Sequence, residues 1–246
     1  MFEPRLALAS LSGTADATWA RAGAPWAGCA FLGGISLDKP TRAAARRLCE
    51  RDREEFLPEN PVAFVDEQFS ALAETPLRPA INVRTTSVGP LSKTAAVAAS
   101  HDAILEVNAH CRQAEMCETG AGERLLRDGD RLCEYVRAAA NVGATVSVKL
   151  RTEVAGVDLP ALAPRLERAG ADLLHVDAMD SEAVIGEIRA ATDAFLVANN
   201  GVRDRATVRE YLRYGADAIS VGRPSDDPRV LERVSEALSD LHEVDA

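Results

Sequence analysis

The segment "ILEVNAHCRQAEMCETGAGERLLRD", residues 104–128, contains the side chain best suited to proton transfer. Cys111 follows an apolar run directly, beside His110 and four residues before Glu115. Neighbouring charges tune the pKa of a thiol, so Cys111 is a candidate for exchanging a proton with carbon. A free cysteine that only fills space is the alternative. Metal ligation by His110, Cys111 and Cys117 is not expected, because the paired spacing of zinc ligands is missing.

Lys149 and His175 are two further candidates for ligand contact. Lys149 occupies an inward-facing position of the β-branched run "TVSVKLR" and is one of only three lysines in the chain. A buried lysine is costly unless it meets an anion or an electron-rich ring, which predicts a ligand near Lys149. The alternative is that its amine reaches solvent at the rim of the fold. His175 ends "DLLHV" and suits a hydrogen bond to a carbonyl or phosphate, with a purely structural role as the alternative.

Two glycine-containing turns resemble phosphate sites. The segments "ANNGV" and "VGRP" place Gly201 and Gly222 between an apolar run and a helix start, and Arg223 follows directly. Small residues at a helix start let backbone N–H groups approach a phosphate, and an arginine adds a charge-assisted contact. We therefore expect a ligand that carries a phosphate. The alternative is that both glycines only serve tight turns.

The elements that must position these residues alternate between strands and helices. Short, mostly apolar runs predict strands at residues 5–9, 29–32, 80–84, 103–108, 145–150, 172–176, 194–198 and 218–221. Amphipathic stretches predict helices at residues 41–55, 92–99, 123–140, 159–169, 181–191, 204–214 and 227–241. Gly170 and Gly215 each follow a predicted helix and precede Ala-Asp and a strand, which is typical of a left-handed helix cap.

Eight such units predict a (β/α)8 TIM barrel that forms a single domain over residues 1–246. A doubly wound open sheet is the alternative. That fold usually opens with a glycine-rich turn, whereas the first turn here has only Gly13. Active sites of barrels lie at the carboxyl ends of the strands, which is where the candidate residues fall.

Composition excludes several other classes. The chain has 246 residues, 47% of them hydrophobic and 4% aromatic, and no apolar run of the length that a membrane helix needs. The amino terminus lacks the features of a signal peptide, so we expect a cytoplasmic protein. Five cysteines without a C-x-x-C pair argue against a disulfide framework. A net charge of −10 disfavours binding to DNA and to other nucleic acids.

Several motifs, taken in order, resemble the tRNA-dihydrouridine synthases, which are FMN-dependent TIM-barrel enzymes. The run from Asn108 through Cys111 to "TGAGERLLRD", followed by "VSVKLR", resembles the family's N-x-G-C-P, GAG-x-x-LL and V-K-x-R. "LASLSGTAD" resembles its LAPMAGVTD, and His175 matches the histidine of its V-H-x-R. "NNG" and "GADAISVGRP" are similar to its G-N-G and GADGVMIGRG. The resemblance covers about residues 8–224 and leaves 225–246 as a terminal helix and tail.

The resemblance implies roles for particular residues. Cys111 would protonate carbon 5 of uracil while reduced FMN delivers hydride to carbon 6, with NADPH or another donor reducing the flavin again. We also expect substrate contacts from Asn108 and Arg151. The residues implied to bind FMN are Ser10, Leu11, Asn82, Lys149, His175, Asn200, Gly201, Gly222 and Arg223.

Departures from the family pattern leave more than one function open. His110 and Arg112 replace the glycine and proline around the cysteine, and Asp177 replaces the arginine of V-H-x-R. The family's C-terminal helical domain, which binds tRNA, has no counterpart after Pro224, so the chain resembles a short, divergent, archaeal-type member. The alternatives are an FMN-dependent oxidoreductase acting on a free pyrimidine or another small molecule, similar to dihydroorotate dehydrogenases, and a barrel that has lost FMN.

Overall fold

A closed barrel of eight parallel strands forms the centre of the molecule in the computed structural model, which describes residues 1–244. Each strand pairs with the next, and the eighth pairs with the first. The strands are β1 (Leu6–Leu8), β2 (Cys29–Ser36), β3 (Arg78–Arg84), β4 (Ile104–Asn108), β5 (Thr145–Arg151), β6 (Leu173–Asp177), β7 (Phe195–Asn199) and β8 (Ala218–Val221). The predicted TIM barrel is confirmed.

Helices surround the barrel, and most of them bury an apolar face against its strands. They are α1 (Ala17–Gly23), α2 (Lys39–Cys49), α3 (Pro61–Leu72), α4 (Val88–Ser100), α5 (Ala114–Glu118), α6 (Glu123–Leu126), α7 (Gly129–Ala140), α8 (Leu159–Arg168), α9 (Val184–Arg189), α10 (Arg205–Arg213) and α11 (Pro228–Val244), with a 3-10 turn at Arg223–Asp226. No helix within residues 1–244 is both long and apolar enough to cross a membrane. The last two residues of the predicted tail lie outside the described residues.

The structure corrects several predicted helix boundaries. The helix predicted over 123–140 is two helices, because the Asp128 carboxylate accepts a hydrogen bond from the backbone N–H of Arg131 and caps a new start. The helix predicted over 41–55 ends at Cys49. Helices α1 and α3 were not predicted, although Asp16 and Asn60 cap them through their side chains. Gly170 and Gly215 have the expected positive φ values of 104° and 87°.

The barrel interior changes character along its axis. Its amino-terminal part is apolar and includes Phe2, Cys29, Phe31, Ile104 and Leu173, all of them buried. One side-chain layer closer to the carboxyl ends, the interior becomes polar and charged, with Asn82, Glu106, Ser147, Lys149, His175 and Ser220 also buried. Burying a charged group is costly unless the group is paired. A layer of such groups inside the barrel therefore indicates a functional site at the adjacent carboxyl ends of the strands.

Candidate active site

Glu106 lies at the centre of the buried polar layer. Its carboxylate accepts hydrogen bonds from Asn82 Nδ2 at 2.7 Å and Ser147 Oγ at 3.0 Å, and it lies 2.7 Å from His175 Nδ1. Burial alone would raise the pKa of Glu106. The hydrogen bonds from His175 and Asn82 and the positive charge of Lys149 lower that pKa instead. Glu106 is therefore an anion held inside the barrel.

Lys149 and His175 form a direct pair beside Glu106. The Lys149 amine lies 2.7 Å from His175 Nε2 and donates to Asn199 Oδ1 at 3.3 Å. Burial lowers the pKa of Lys149 to about 8, although Glu106 opposes the shift. Burial and the charge of Lys149 lower the pKa of His175 to about 4, so the imidazole is neutral at neutral pH.

These contacts commit His175 to protein partners. Its Nδ1–H faces Glu106, which leaves Nε2 as an acceptor within 2.7 Å of both Lys149 and Ser220 Oγ. The ring is completely buried. The Lys149 amine has three N–H donors. One is directed to His175 and one to Asn199. No described residue accepts from the third, which is available to a ligand.

The loop after β4 holds Cys111 by its backbone. Asn108 Oδ1 accepts from the N–H of Cys111 at 2.9 Å and from the N–H of His110 at 3.2 Å. The Cys111 carbonyl accepts from the N–H of Glu123 at 2.8 Å. A Cβ atom at Gly122 would lie 2.2 Å from that carbonyl oxygen, so glycine is required there. Cys111 is half-buried, and its side chain packs against an apolar cluster of Ala44, Leu48, Met116 and Ala121.

A chain of amides connects this loop to the polar layer. Asn108 Nδ2 donates to Asn82 Oδ1 at 2.8 Å, and Asn82 in turn donates to Glu106. Asn82 and Asn108 are therefore both held rigidly below Cys111. One N–H of the Asn82 amide is left for a ligand.

Arg84 was predicted as a polar residue at the end of a strand but was assigned no role. Its guanidinium donates to Glu55 Oε2 at 2.6 Å and also contacts Ser12 Oγ, and its side chain is almost completely buried. Burial alone would lower the pKa of Arg84, but a thiolate at Cys111 and the carboxylate of Glu55 raise it. Its position at the carboxyl end of a predicted strand, where the active sites of barrels lie, was the signal in the sequence.

His110 and Asp177 meet across the barrel mouth. His110 Nε2 lies 2.5 Å from one oxygen of Asp177. The other oxygen accepts from Asn200 Nδ2 at 2.9 Å and from the N–H of Met179 at 3.3 Å. His110 follows β4 and Asp177 ends β6, so β5 lies between them. On β5, Arg151 is in register with Asp177. Burial alone would raise the pKa of Asp177, but His110 and its hydrogen bond hold that pKa well below its usual value.

Comparison with known proteins decides the family. The sequence profile described as dihydrouridine synthase (Dus) matches residues 54–243, which is most of the chain. The chain belongs to the dihydrouridine synthase family. An uncharacterized protein of Methanocaldococcus jannaschii is 27% identical, over 90% of this chain and 89% of that protein. The tRNA-dihydrouridine synthase B of Xanthomonas axonopodis pv. citri is 26% identical, over 58% of this chain and 47% of its own length.

The fold is also similar to solved structures. The DHODH of Eimeria tenella in complex with ferulenol superposes with a TM-score of 0.72 at 14% identity, covering 96% of this chain and 81% of that one. Dihydrouridine synthases are FMN-dependent oxidoreductases, so membership of the family confirms the expected cofactor and general reaction class.

The residues at the mouth fit the FMN of the dihydrouridine synthases. Gly201 and Gly222 have open space where a side chain would begin, as a phosphate cradle requires. The Arg151 Nε atom is buried and has no hydrogen-bond partner among the described residues. Lys149 and Asn82 each have an uncommitted N–H. The donors of Lys149 and Asn82 suit an anionic, hydrogen-bonding cofactor, and that of Arg151 is left for a substrate.

The predicted FMN-binding residues fall into two groups in the structure. Lys149, Asn82 and His175 are brought together in the polar layer, where His175 contacts only protein groups. Outside that layer, Ser10 and Leu11 follow β1 and are partly exposed, Gly201 and Arg223 are exposed, and Gly222 is partly buried. Asn200 adopts φ 89° and donates its amide to Asp177.

Proposed function

We propose that this protein reduces the uracil base of uridine to 5,6-dihydrouridine, with FMN as cofactor and Cys111 as general acid. The observation that carries the proposal is the clamp on Cys111. Asn108 and Glu123 fix the backbone on both sides of the thiol, and Gly122 packs against its carbonyl. A cysteine whose backbone is held on both sides, after the carboxyl end of a barrel strand, is suited to deliver a proton to one face of a ring bound there.

The proposed cofactor contacts follow the two groups of residues. Lys149 and Asn82 bind the flavin ring, and His175 orients the Lys149 amine toward it. Ser10 and Leu11 lie against the ring. Asn200, Gly201, Gly222 and Arg223 hold the phosphate. Bound in its reduced form, FMN supplies the hydride that carbon 6 of the uracil receives.

The proton moves from the protein to the other carbon. The Cys111 S–H bond breaks and a C–H bond forms at carbon 5, which leaves a thiolate. Arg84 stabilises that thiolate, because a negative charge on Cys111 favours the charged guanidinium. Asn108 and Arg151 contact the uracil and its sugar. Solvent then protonates Cys111 again, because the thiol is only half-buried.

The proposed partners are tRNA, as carrier of the uridine, and NADPH or another donor that reduces FMN. The name of the Xanthomonas relative supports tRNA. The net charge of −10 opposes contacts with the phosphates of tRNA. Reduction of a free pyrimidine is the second candidate, and it needs no such contacts.

The decisive experiment compares Cys111→Ala with Cys49→Ala, which removes an exposed cysteine at the end of α2. Both variants and the parent are loaded with FMN, reduced, and given unmodified tRNA or free uridine. We expect FMN to remain bound in all three. Dihydrouridine should form at least a hundredfold more slowly in Cys111→Ala only.

Three results would contradict parts of the proposal. Equal turnover in Cys111→Ala would remove the thiol from the mechanism. Turnover of free uridine but not of tRNA would favour the second candidate. No uptake of FMN would exclude both and favour a barrel without catalytic function.

A further inference from the structure

The two main departures from the family motifs contact each other. His110 occupies the glycine position before the cysteine, and Asp177 occupies the arginine position of V-H-x-R. The residues are 67 positions apart, yet His110 Nε2 lies 2.5 Å from the Asp177 carboxylate. A substitution at one motif is thus matched by a substitution at the other. The pair forms a built feature of the barrel mouth rather than two independent changes.

The hydrogen bonds of the His110–Asp177 pair define the charge state of both residues. Asp177 accepts from Asn200 and from the N–H of Met179 as well as from His110, so it is an ionised acceptor. Burial lowers the pKa of His110, with Asp177 opposing the shift and Lys149 and Arg151 adding to it. A neutral imidazole that donates Nε2–H to Asp177 keeps a lone pair on Nδ1.

That Nδ1 atom is available to a ligand. It has no hydrogen-bond partner among the described residues. The His110 side chain is 29% exposed, and its backbone is fixed by the same Asn108 oxygen that holds Cys111. The structure therefore presents a fixed hydrogen-bond acceptor beside the proposed general acid.

We propose, on the basis of the proposed function, that His110 Nδ1 accepts the N3–H of the uracil ring. Asp177 acts as a positioning residue that holds the imidazole in this tautomer. Uracil carries a proton on N3, whereas cytosine has a lone pair there, so an acceptor at this place selects uracil. A site built to hydrogen-bond one group discriminates strongly against a ring that lacks it.

Calorimetric titration of FMN-loaded protein tests the proposal with uridine, N3-methyluridine and cytidine. In the parent, we expect uridine to bind about tenfold more tightly than either of the others. His110→Gly should lose about tenfold in affinity for uridine and no longer distinguish it from N3-methyluridine. His101→Gly is the matched control, because it breaks a His–Asp pair with Asp66 on the outside of the barrel, at 2.7 Å. That control should bind all three as the parent does.

The pH profile separates positioning from a structural role. Protonation of Nδ1 converts it to a donor, so affinity for uridine should fall as the pH falls through the pKa of His110, which burial holds below its ordinary value. Asp177→Asn removes the carboxylate that raises the pKa of His110, while Lys149 and Arg151, which lower it, remain. The fall in affinity should therefore move to lower pH in that variant.

An equal penalty for N3-methylation in the parent and in His110→Gly would overturn the inference. So would a lack of uridine binding to the parent, or an unchanged pH profile in Asp177→Asn. If the protein binds uridine selectively but forms no dihydrouridine, the proposed function is contradicted and the binding role of His110 stands.

Discussion

The Glu106 carboxylate lies 2.7 Å from His175 Nδ1, and both side chains are completely buried inside the barrel. This contact assigns the imidazole proton to Nδ1 and turns Nε2 toward Lys149, 2.7 Å away. Glu106 and His175 therefore orient the Lys149 amine, whose charge faces the proposed cofactor site.

The buried imidazole predicts loss of stability in acid. The pKa of His175 is about 4 in the folded protein, below its unfolded value of about 6.5. Between these values the unfolded chain binds a proton that the folded chain does not. The free energy of unfolding should fall by about 3 kcal/mol as pH falls from 6.5 to 4.

Urea unfolding at several pH values measures this slope. His175→Gln should remove that contribution to it. Ser220→Ala removes one partner of the ring and keeps the titrating group, so it should keep the slope. An unchanged slope in His175→Gln would assign the acid sensitivity to other groups.

Binding of FMN should depend on the charge of Lys149. Its pKa is about 8 in the free protein, so the amine loses its charge as pH rises through that value. We expect affinity for FMN to be about tenfold lower at pH 9 than at pH 7, by fluorescence titration. Lys149→Met should bind weakly at both pH values. Lys149→Arg, which stays charged, should show no decline, and a decline in that variant would contradict the assignment.

The buried ion pair at the mouth should be costly to break on one side. Arg84 Nη1 lies 2.6 Å from Glu55 Oε2, and the two side chains are 4% and 2% exposed. Arg84→Met leaves the Glu55 carboxylate buried without its partner and should destabilise the fold by about 3–5 kcal/mol. The double variant with Glu55→Gln should recover much of this loss in urea unfolding. Additive losses would mean that the two side chains do not interact.

Two glycines with positive φ should differ in tolerance to alanine. Gly143 and Gly170 have φ values of 85° and 104°. A Cβ at Gly143 would meet nothing within 4 Å, whereas a Cβ at Gly170 would lie 2.7 Å from the methyl group of Ala140. Gly143→Ala should cost about 1 kcal/mol for the backbone alone.

Gly170→Ala adds a steric overlap and should cost about 2–4 kcal/mol in thermal or urea unfolding. Ala140→Gly in the Gly170→Ala background removes the overlapping methyl group and should restore part of the stability. Equal losses for the two glycine variants would contradict the predicted overlap.

The sequence by itself determined the barrel and its eight strands, and it predicted the end at which the site lies. Apolar runs, caps such as Gly170 and Gly215, and polar residues after each strand are local signals, and each depends only on neighbours in the chain. The family motifs around Cys111 and Lys149 are local for the same reason. Helices α1 and α3 were missed because their caps are single residues in segments with weak periodicity.

Only the tertiary structure decided which polar groups meet. Glu106 is one acidic residue in an apolar strand, and it becomes the centre of the buried layer because Asn82, Ser147 and His175 come from three other strands. His110 and Asp177 looked like separate departures from the family until the order of the strands brought them together. Contacts between distant parts of a chain depend on closure of the barrel, which no local pattern specifies.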